Sequence, residues 1–366
     1  MKYYIIAGEA SGDLHGSNLI KGLRAEDPDA HFRMYGGDLM LEAAGEGLVH
    51  HYKDGAVMGF TEVIAKAGRL LSNISNCKKD IASWNPDAVI LIDYPGFNMK
   101  IAKFCHGKGF RVFYYIPPKT WASRESRNAK LRKYTQKIFP VFPFEVPFFT
   151  EKKVPFIYKG NPLVDAIDAH DFTRPCEGNY IALLAGSRKP EISRMMPVCM
   201  EVADRLGCKV VIAGAPARSE DDYRKYIGDR KNVELIFGRT YDVLKFADAA
   251  IINSGTASLE AALIGTPQVV CWSASKLTYF MAIHYLRVQD HISFISLGNL
   301  CMGREIFREL IQDNFTADAV LAEVQRLTTD QEYRSKMQEG YNEIRRSLGG
   351  GGASKAVARA IIEELS

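Results

Sequence analysis

Short apolar runs alternate with helical patterns along the first half of the chain. Runs of four to seven apolar residues are typical of buried strands, and the segments between them repeat apolar residues at helical spacing. The predicted strands are Tyr3–Ala7, Ala88–Ile92, Phe110–Ile116 and the extended Lys137–Phe142, and the predicted helices are Leu14–Arg24, Asn98–His106 and Arg124–Tyr134. Strands that alternate with helices predict parallel βαβ units.

The alternation breaks near Gly160-Asn161-Pro162, where a polar stretch runs from Asp165 to Asn179. It then restarts, with predicted strands at Tyr180–Ala185, Lys209–Ala213, Val233–Ile236, Ala249–Ile252 and Gln268–Trp272. We therefore predict an α/β protein of two doubly wound, Rossmann-like domains, residues 1–164 and 165–346. Each domain would present its binding loops at the carboxyl ends of its strands.

Four consecutive glycines, Gly349 to Gly352, precede the last segment of the chain. Such a run predicts a hinge. The segment after it has Val357, Ala358, Ile361, Ile362 and Leu365 at helical spacing. We expect residues 347–366 to cross over and dock either on the first domain or on a partner chain. Docking on a partner chain would make a homodimer through the C-terminus.

Composition narrows the class of protein. The 366 residues are 47% hydrophobic and 25% charged, which is typical of a globular chain, and the net charge of +4 does not favour nucleic acid as a partner. Seven scattered cysteines without a Cys-x-x-Cys pair indicate a reducing cytosol. Because no apolar run reaches 18 residues, any membrane contact is expected to be peripheral.

The turn after the first strand reads Gly8-Glu9-Ala10-Ser11-Gly12-Asp13. Its glycines permit a tight turn, and Ser11 or Asp13 is expected to cap the helix that follows, whose free N–H groups attract anions. The spacing is not the Gly-x-Gly-x-x-Gly dinucleotide fingerprint, so NAD is disfavoured. The alternative is an ordinary strand-to-helix turn.

Asp93 directly follows the strand Ala88–Ile92. A carboxylate at the carboxyl end of a parallel strand lies on the functional edge of the sheet, where it could act as a general base. The alternative is a carboxylate that caps a helix or braces a loop.

Two further turns predict a nucleotide site in the second domain. Gly186-Ser187-Arg188, with Glu191 one turn later, combines a tight turn with an arginine that can pair bidentately with phosphate. The second turn begins a helix, and the free N–H groups of that helix start would face a phosphate. Glu260, deeper in the helix, would bind the hydroxyls of a ribose. The candidate residues of this turn and helix are Ser254, Gly255, Thr256, Ser258 and Glu260. The alternatives are a surface arginine and a capped helix with a solvated glutamate.

No metal or other cofactor is predicted. The Asp-x-Asp triplet Asp27-Pro28-Asp29 falls in a helix-to-strand loop at the opposite edge of the sheet. Arg188 and the helix N-termini would instead stabilise the charge of a leaving diphosphate.

A second helical pattern covers Val57–Leu71, where Phe60 and Ile64 lie on the apolar stripe and Lys66 and Arg69 lie beside it. It predicts either a helix packed on its own domain or a contact with acyl chains and membrane. Arg124 opens a basic run that is typical of a solvated face and could also meet anionic headgroups.

Taken together, these segments resemble the lipid-A-disaccharide synthase family over nearly the whole chain. The matching segments are Ala7–Asp13, Val57-Met58-Gly59, Ile92–Asn98, Pro143-Phe144-Glu145, Gly186–Arg188 with Glu191, Ser254–Glu260, and Asn299 with Gly303-Arg304-Glu305.

The resemblance implies the two-Rossmann-domain architecture called GT-B, and transfer of 2,3-diacylglucosamine from UDP to 2,3-diacylglucosamine 1-phosphate with inversion and without a metal. It implies that Arg188, residues 254–258 and Glu260 hold UDP. Asp93 is implied as the base, with Ser11 and Asn299 near the reacting groups. It also implies a cytoplasmic protein, peripheral on the inner face of the bacterial inner membrane.

The chain departs from the family pattern after the strand Phe110–Ile116. Where the family has Ser-Pro-x-x-Trp-Ala-Trp, this chain has Pro117-Pro118-Lys119-Thr120-Trp121-Ala122-Ser123. If this loop, with Trp121, helps to bind the acceptor, the acceptor preference of this chain differs from the family pattern. Three other functions remain open: a peptidoglycan-type N-acetylglucosaminyl transferase, a UDP-sugar 2-epimerase, and a module that binds UDP-sugar or lipid without catalysis.

Overall fold

The computed structural model of the chain describes residues 1–55, 62–122, 125–275, 279 and 293–366, without the side chains of residues 55 and 62–67. The chain divides into two compact units. The first unit contains Met1–Ala166 and Leu348–Ser366, and the second contains Ile167–Ser347.

The first unit is built on a parallel sheet with six strands among its described residues. They are β1 Lys2–Ala7, β2 His31–Gly36, β3 Leu48–His51, β4 Ala88–Ile92, β5 Arg111–Tyr115 and β6 Lys137–Phe139. The strand order is β3-β2-β1-β4-β5-β6, so the order reverses between β1 and β4. Ala7 pairs in register with Ile92, so both strands end side by side. Ligands of open α/β sheets bind at such a reversal, outside the carboxyl ends of the strands.

Helices of the first unit cover its sheet. They are α1 Ala10–Glu26, α2 Asp38–Ala44, α3 Glu62–Trp84, α4 Pro95–Gly107, α5 Arg127–Tyr134, α6 Glu145–Glu151 and α7 Pro162–Asp168, which runs into the second unit. The helix predicted over Val57–Leu71 is observed from Glu62 onward, and residues 56–61 lie outside the described part. It continues to Trp84 because Ile74, Cys77 and Ile81 extend its apolar stripe into the core.

The second unit repeats the same parallel topology. Its strands are β7 Tyr180–Leu184, β8 Lys209–Gly214, β9 Val233–Phe237, β10 Ala249–Asn253, β11 Gln268–Trp272 and β12 Glu309–Ile311, in the order β12-β11-β10-β7-β8-β9. Its helices are α8 Lys189–Leu206, α9 Asp221–Ile227, α10 Thr240–Lys245, α11 Thr256–Ile264, α12 Leu297–Met302, α13 Ala317–Thr329 and α14 Gln331–Ser347. The strand order reverses between β7 and β10, from which both predicted nucleotide turns emerge.

The last helix, α15 Ala353–Leu365, belongs to the first unit and packs on α1 of the same chain. A Cβ added to Gly22 would lie 3.0 Å from the Cβ of Ala358, so the two helices approach closely there. Asp165 caps the start of α15 by accepting hydrogen bonds from the backbone N–H groups of Ala353 (3.2 Å) and Ser354 (2.9 Å).

The core of each unit is formed by its central strands. Every residue of β4, β7 and β10 is buried, as expected of parallel strands covered by helices on both faces. Among the helices of the described residues, none is long and apolar enough to cross a membrane.

Candidate active site

Asp93 leaves the end of β4 in an uncommon backbone conformation. Asp93 (φ 43°) and Tyr94 (φ 47°) both lie in the left-handed region, which non-glycine residues rarely adopt. The carbonyl oxygen of Asp93 accepts hydrogen bonds from the buried Asn98 Nδ2 (2.8 Å) and from the Tyr114 hydroxyl (2.7 Å). These bonds stabilise the turn, and such local strain is common where a side chain must be aimed at a site.

The electrostatic surroundings of Asp93 suit a base. Burial raises the pKa of its carboxyl, and the nearby Glu9 carboxylate raises that pKa further, while Lys119 and the Tyr94 backbone lower it. A carboxylate with a raised pKa is a stronger proton acceptor than an ordinary aspartate.

A small cavity lies beside this turn. Its volume is about 370 Å³ including the space open to solvent, and its walls include Tyr35, His50, Tyr52, Asn73, Tyr94 and Phe97. The rings of Tyr94 and Phe97 stack with centroids 5.2 Å apart, and Asn73 Nδ2 lies 3.3 Å from His50 Nε2. The cavity is therefore mostly aromatic, with one polar pair.

Neither Ser11 nor Asp13 caps α1, although the sequence predicted that one of them would. Glu9 occupies the N-cap position without a side-chain hydrogen bond to the helix. Ser11 Oγ donates to Glu9 Oε1 at 2.8 Å. The buried Asp13 accepts from the N–H groups of Gly37 (2.9 Å) and Met40 (3.0 Å), so it caps α2. That prediction was wrong because the short Asp13 side chain reaches the neighbouring helix start.

Trp121 is held by a buried glutamate that the residue pattern had not assigned a role. Its Nε1 donates to Glu145 Oε1 at 3.0 Å, and its ring meets that of Phe144 edge to face at 4.8 Å. Glu145 Oε2 also accepts the N–H groups of Val141 (2.9 Å) and Phe142 (3.0 Å). The loops after β5 and β6 are thereby linked through one carboxylate.

The predicted acceptor and membrane residues are only partly described. Phe60 and Arg124 lie outside the described residues, as do the side chains of Ile64 and Lys66. Arg69 is exposed on α3, and Leu71, two residues further along the helix, is 59% exposed.

In the second unit, the turn after β7 is closed by its own carboxylate. Gly186 has φ 104°, and a Cβ there would lie 2.7 Å from Glu191 Oε2, so the turn requires glycine. Glu191 Oε2 accepts the N–H groups of Ser187 (3.0 Å) and Arg188 (3.1 Å), and Oε1 pairs with Arg188 Nη1 at 3.0 Å. Glu191 therefore shapes this turn, and the Arg188 side chain is 79% exposed.

The start of α11 presents Gly255 and Thr256 to solvent, while its two serines face inward. Ser254 Oγ donates to the carbonyl of Ile295 at 3.0 Å. Ser258 is fully buried, and its hydroxyl donates to the carbonyl of Gly255 at 2.8 Å. A phosphate would thus meet the exposed N–H groups of the helix start, with the serines supporting the turn.

Glu260 lies one turn beyond Thr256 on the same helical face, because residues four apart in a helix stack above one another. Burial raises the pKa of Glu260 to about 7, and the Tyr241 hydroxyl of α10 opposes that rise.

Asn299 is fully buried on α12 and its amide is saturated with hydrogen bonds. Nδ2 donates to the Phe307 carbonyl and to Glu309 Oε1, each at 2.9 Å, and Oδ1 accepts the Ile306 N–H at 2.8 Å. Glu309 also accepts the N–H of Ile295, whose carbonyl holds Ser254. Asn299 thus supports the second predicted nucleotide turn from behind. No feature of the sequence pattern had pointed to Glu309.

Within each unit, the predicted residues gather at one edge. Ser11 and Asp93 leave adjacent strand ends in the first unit, and Arg188 and Thr256 do so in the second. Among the described residues, no group of three or more histidine, cysteine, aspartate or glutamate side chains is arranged to hold a metal ion.

The fold is shared with a solved UDP-GlcNAc 2-epimerase and with a solved glycosyltransferase. The UDP-GlcNAc 2-epimerase from Neisseria meningitidis, solved with UDP-GlcNAc, aligns over 99% of this chain and 100% of its own, with a TM-score of 0.71 and 13% identity. The glycosyltransferase of kitacinnamycin aligns over 100% of this chain and 99% of its own, with a TM-score of 0.64 and 16% identity. At such identities the likeness establishes the two-domain GT-B fold alone.

Sequence similarity is closer and more specific. The lipid-A-disaccharide synthase of Geobacter metallireducens is 37% identical over 376 residues, covering 99% of this chain and 96% of that protein. The lipid-A-disaccharide synthase of Trichlorobacter lovleyi is 35% identical over 372 residues, covering 98% and 96%. The sequence profile described as lipid-A-disaccharide synthetase matches residues 3–361. With nearly its whole length matched, the chain belongs to the lipid-A-disaccharide synthetase family.

Proposed function

We propose that this glycosyltransferase joins two acylated glucosamines into the lipid A disaccharide. The donor is UDP-2,3-diacylglucosamine, the acceptor is 2,3-diacylglucosamine 1-phosphate, and the products are the disaccharide 1-phosphate and UDP. Family membership supports the reaction. The structural observation that carries the proposal is Asp93, a carboxylate with a raised pKa at the strand-order reversal of the first unit.

The reaction is a single displacement with inversion. The Asp93 carboxylate takes the proton of the acceptor 6-hydroxyl while that oxygen bonds to the anomeric carbon of the donor. The bond from the anomeric carbon to the diphosphate oxygen breaks, and UDP leaves on the opposite face. Ser11 assists indirectly, because its hydroxyl holds Glu9, whose charge raises the pKa of Asp93.

The second unit holds UDP. Arg188 is exposed beside the tight turn at Gly186, and it pairs with the diphosphate. The N–H groups at the start of α11 face the same phosphates, and Glu260 receives the ribose hydroxyls one turn further along. Glu191, Ser254, Ser258 and Asn299 hold these turns through hydrogen bonds within the protein.

The first unit receives the acceptor. The aromatic cavity beside Tyr94 and the loop that carries Trp121 adjoin the end of the sheet from which Asp93 emerges. Aromatic walls suit the apolar parts of an acylated sugar. Because Lys119 and Trp121 lie in the segment that departs from the family pattern, acceptor preference is set there.

The reaction needs no divalent metal. Arg188 and the N–H groups at the start of α11 supply the positive potential that a metal would otherwise provide to the leaving diphosphate.

The protein acts on the cytoplasmic face of the inner membrane, which it touches peripherally and from which it takes acylated substrates. Helix α3 exposes both the apolar Leu71 and the cationic Arg69, which supports this location. A homodimer through the C-terminus would require α15 to leave its own α1, and light scattering of the purified chain decides between the two states.

The test is to incubate the purified protein with both substrates in detergent and in EDTA. Mass spectrometry should find the tetra-acyl disaccharide 1-phosphate, and a coupled assay should find equimolar UDP. UDP without disaccharide would mean hydrolysis or another acceptor and would reject the acceptor assignment. Binding of UDP with neither product would favour a different UDP-sugar enzyme or a binding module.

A further inference from the structure

Three neighbouring strands of the first unit end side by side at the edge that carries the proposed base. Ile92 pairs in register with Tyr115, and Tyr115 pairs in register with Phe139, so β4, β5 and β6 stop together. The N–H of Asp93 donates to the carbonyl of Tyr115 at 3.2 Å. The N–H of Ile116 donates to the carbonyl of Phe139, also at 3.2 Å. The loops after β5 and β6 therefore start beside the turn of the proposed base.

One buried carboxylate joins these two loops. Glu145 is 1% exposed and is the first residue of α6. Its Oε2 accepts the N–H groups of Val141 (2.9 Å) and Phe142 (3.0 Å) in the loop after β6. Its Oε1 accepts the Nε1 proton of Trp121, from the loop after β5, at 3.0 Å. All three partners are N–H donors, so they fit the ionised carboxylate, which only accepts hydrogen bonds.

Both ends of this bridge are fixed to the rest of the unit. The carbonyl of Val141 accepts a hydrogen bond from the buried Asn161 Nδ2 at 3.0 Å. At the other end, Thr120 Oγ1 donates to Asn128 Oδ1 of α5 at 2.7 Å, and both residues are buried. Trp121 itself stays partly exposed. The bridge therefore holds a partly exposed indole ring in the loop that starts beside the proposed base.

A partly exposed tryptophan at this edge of the sheet suits a sugar ring as its ligand. The faces of a glucosamine ring carry C–H groups, which pack against the negative face of an aromatic ring. Such stacking needs an indole plane with a fixed tilt, because ordering a mobile side chain on binding costs free energy. The hydrogen bond from Trp121 Nε1 to Glu145 fixes one edge of the indole before any ligand arrives.

We infer that the Trp121 indole is a stacking surface for the sugar ring of the acceptor, and that Glu145 is the positioning residue that holds the indole there. The inference rests on the proposed function, since it takes the acceptor to be an acylated glucosamine 1-phosphate bound by the first unit. It adds the residue that meets the sugar and the residue that acts through it. Glu145 itself does not meet the substrate, because its carboxylate is buried under its three donors.

Glu145→Gln separates the bond to Trp121 from the other two bonds. A glutamine side chain has one oxygen that accepts hydrogen bonds and one amide group that donates them. When the oxygen keeps the two backbone N–H groups, the amide group faces the indole N–H, and two donors do not bond to each other. The substitution therefore breaks the bond to Trp121 and leaves the loop after β6 in place.

The experiment measures kcat and the KM of each substrate in the detergent assay of the proposed reaction. The proteins are wild type, Glu145→Gln, Trp121→Phe and the double variant, and thermal melts report whether each is folded. Two controls lie near the amino ends of the strands. Trp84→Phe alters an indole that meets the ring of Tyr4 at 6.1 Å, and Asp80→Asn alters a carboxylate that accepts the Tyr4 hydroxyl at 2.7 Å.

We expect the acceptor KM to rise about fivefold in each of the two single variants, the effect of a weakened aromatic contact. The KM of the UDP-sugar and kcat should stay within about twofold, because a stacking contact binds the ground state and the transition state alike. The double variant should match Trp121→Phe, because phenylalanine has no N–H for residue 145 to hold. Both controls should keep every constant within about twofold of wild type.

Three results would overturn the inference alone, with wild type active. They are an acceptor KM in Glu145→Gln within about twofold of wild type, an equal rise in the KM of both substrates, and effects of the two substitutions that multiply in the double variant. Where Glu145→Gln does not fold, Trp121→Phe decides, since an unchanged acceptor KM in that variant also contradicts the inference. If wild type forms no disaccharide from these substrates, the proposed function is wrong and the inference is overturned with it.

Discussion

The ring of Tyr94 lies where a side chain at Gly8 would have to be. A Cβ built on Gly8 would be 2.3 Å from Tyr94 Cγ, a distance too short for two non-bonded carbon atoms. The two residues leave adjacent strand ends, and Tyr94 directly follows Asp93, so the glycine after β1 permits the turn that carries the proposed base.

Gly8→Ala should therefore lower disaccharide formation while leaving UDP affinity intact. The added methyl group must displace the Tyr94 ring and with it the strained Asp93 turn, and we expect a loss in kcat of about 10²-fold, the cost of a misplaced reacting group. The matched control is Gly96→Ala, because a Cβ at Gly96 meets nothing within 4 Å. Equal activity of the two variants would show that the Tyr94 contact does not position Asp93.

Removing the charge of Glu9 and removing that of Lys119 should shift the acidic limb of the kcat/KM pH profile in opposite directions. Glu9 raises and Lys119 lowers the pKa of Asp93, and the base must be ionised to act. The limb in kcat/KM should move to lower pH in Glu9→Gln and to higher pH in Lys119→Gln. The exposed Glu42→Gln serves as the control. Shifts of the same sign, or none, would remove Asp93 as the group that titrates.

Glu260→Gln should weaken nucleotide binding and should raise the stability of the fold relative to wild type at alkaline pH. The folded-state pKa of Glu260, about 7, lies above the ordinary glutamate value of about 4.3. The contribution of this group to the free energy of unfolding therefore falls as pH rises from about 4 to 7. Glutamine does not titrate, so the melting temperature of the variant relative to wild type should be higher at pH 8 than at pH 5. A difference independent of pH would contradict the burial of this carboxylate.

Exposed apolar surface on α3 should contribute to membrane binding. Leu71→Asp removes an exposed leucine from α3, which also exposes Arg69, and should reduce co-sedimentation with vesicles rich in anionic phospholipid several-fold, because apolar burial and attraction to headgroups act together. Activity on detergent-dispersed substrates should be unchanged. Unaltered vesicle binding would place the membrane contact elsewhere.

The fold followed from the sequence where strands are continuous apolar runs. The strands β4 and β7 are buried on both faces and were found within a residue of their ends. Strands β2 and β3 gave no such run, because His31 and Arg33 alternate with buried residues in β2 and two histidines end the short β3. The extended segment predicted to Phe142 ends at Phe139, where Pro140 cannot donate to a sheet.

The site was less predictable than the fold. Residue type and spacing marked the turns at Asp93, Arg188 and Thr256, because a strand end followed by a helix start is visible in the sequence. The direction of each side chain is not: Ser258 and Asn299 face inward and Asp13 caps another helix. Glu309 escaped notice because its partner Asn299 lies 10 residues away along the chain.

The most direct test of the central claim compares wild type with Asp93→Asn in disaccharide formation, with UDP affinity measured on the same preparations. Asparagine keeps the shape of the side chain and removes the base. We expect kcat to fall about 10²–10⁴-fold and the dissociation constant of UDP to stay within about threefold, because the base acts only on the acceptor proton. A variant that retains kcat within about threefold of wild type would contradict the account, since no proton would then pass to Asp93.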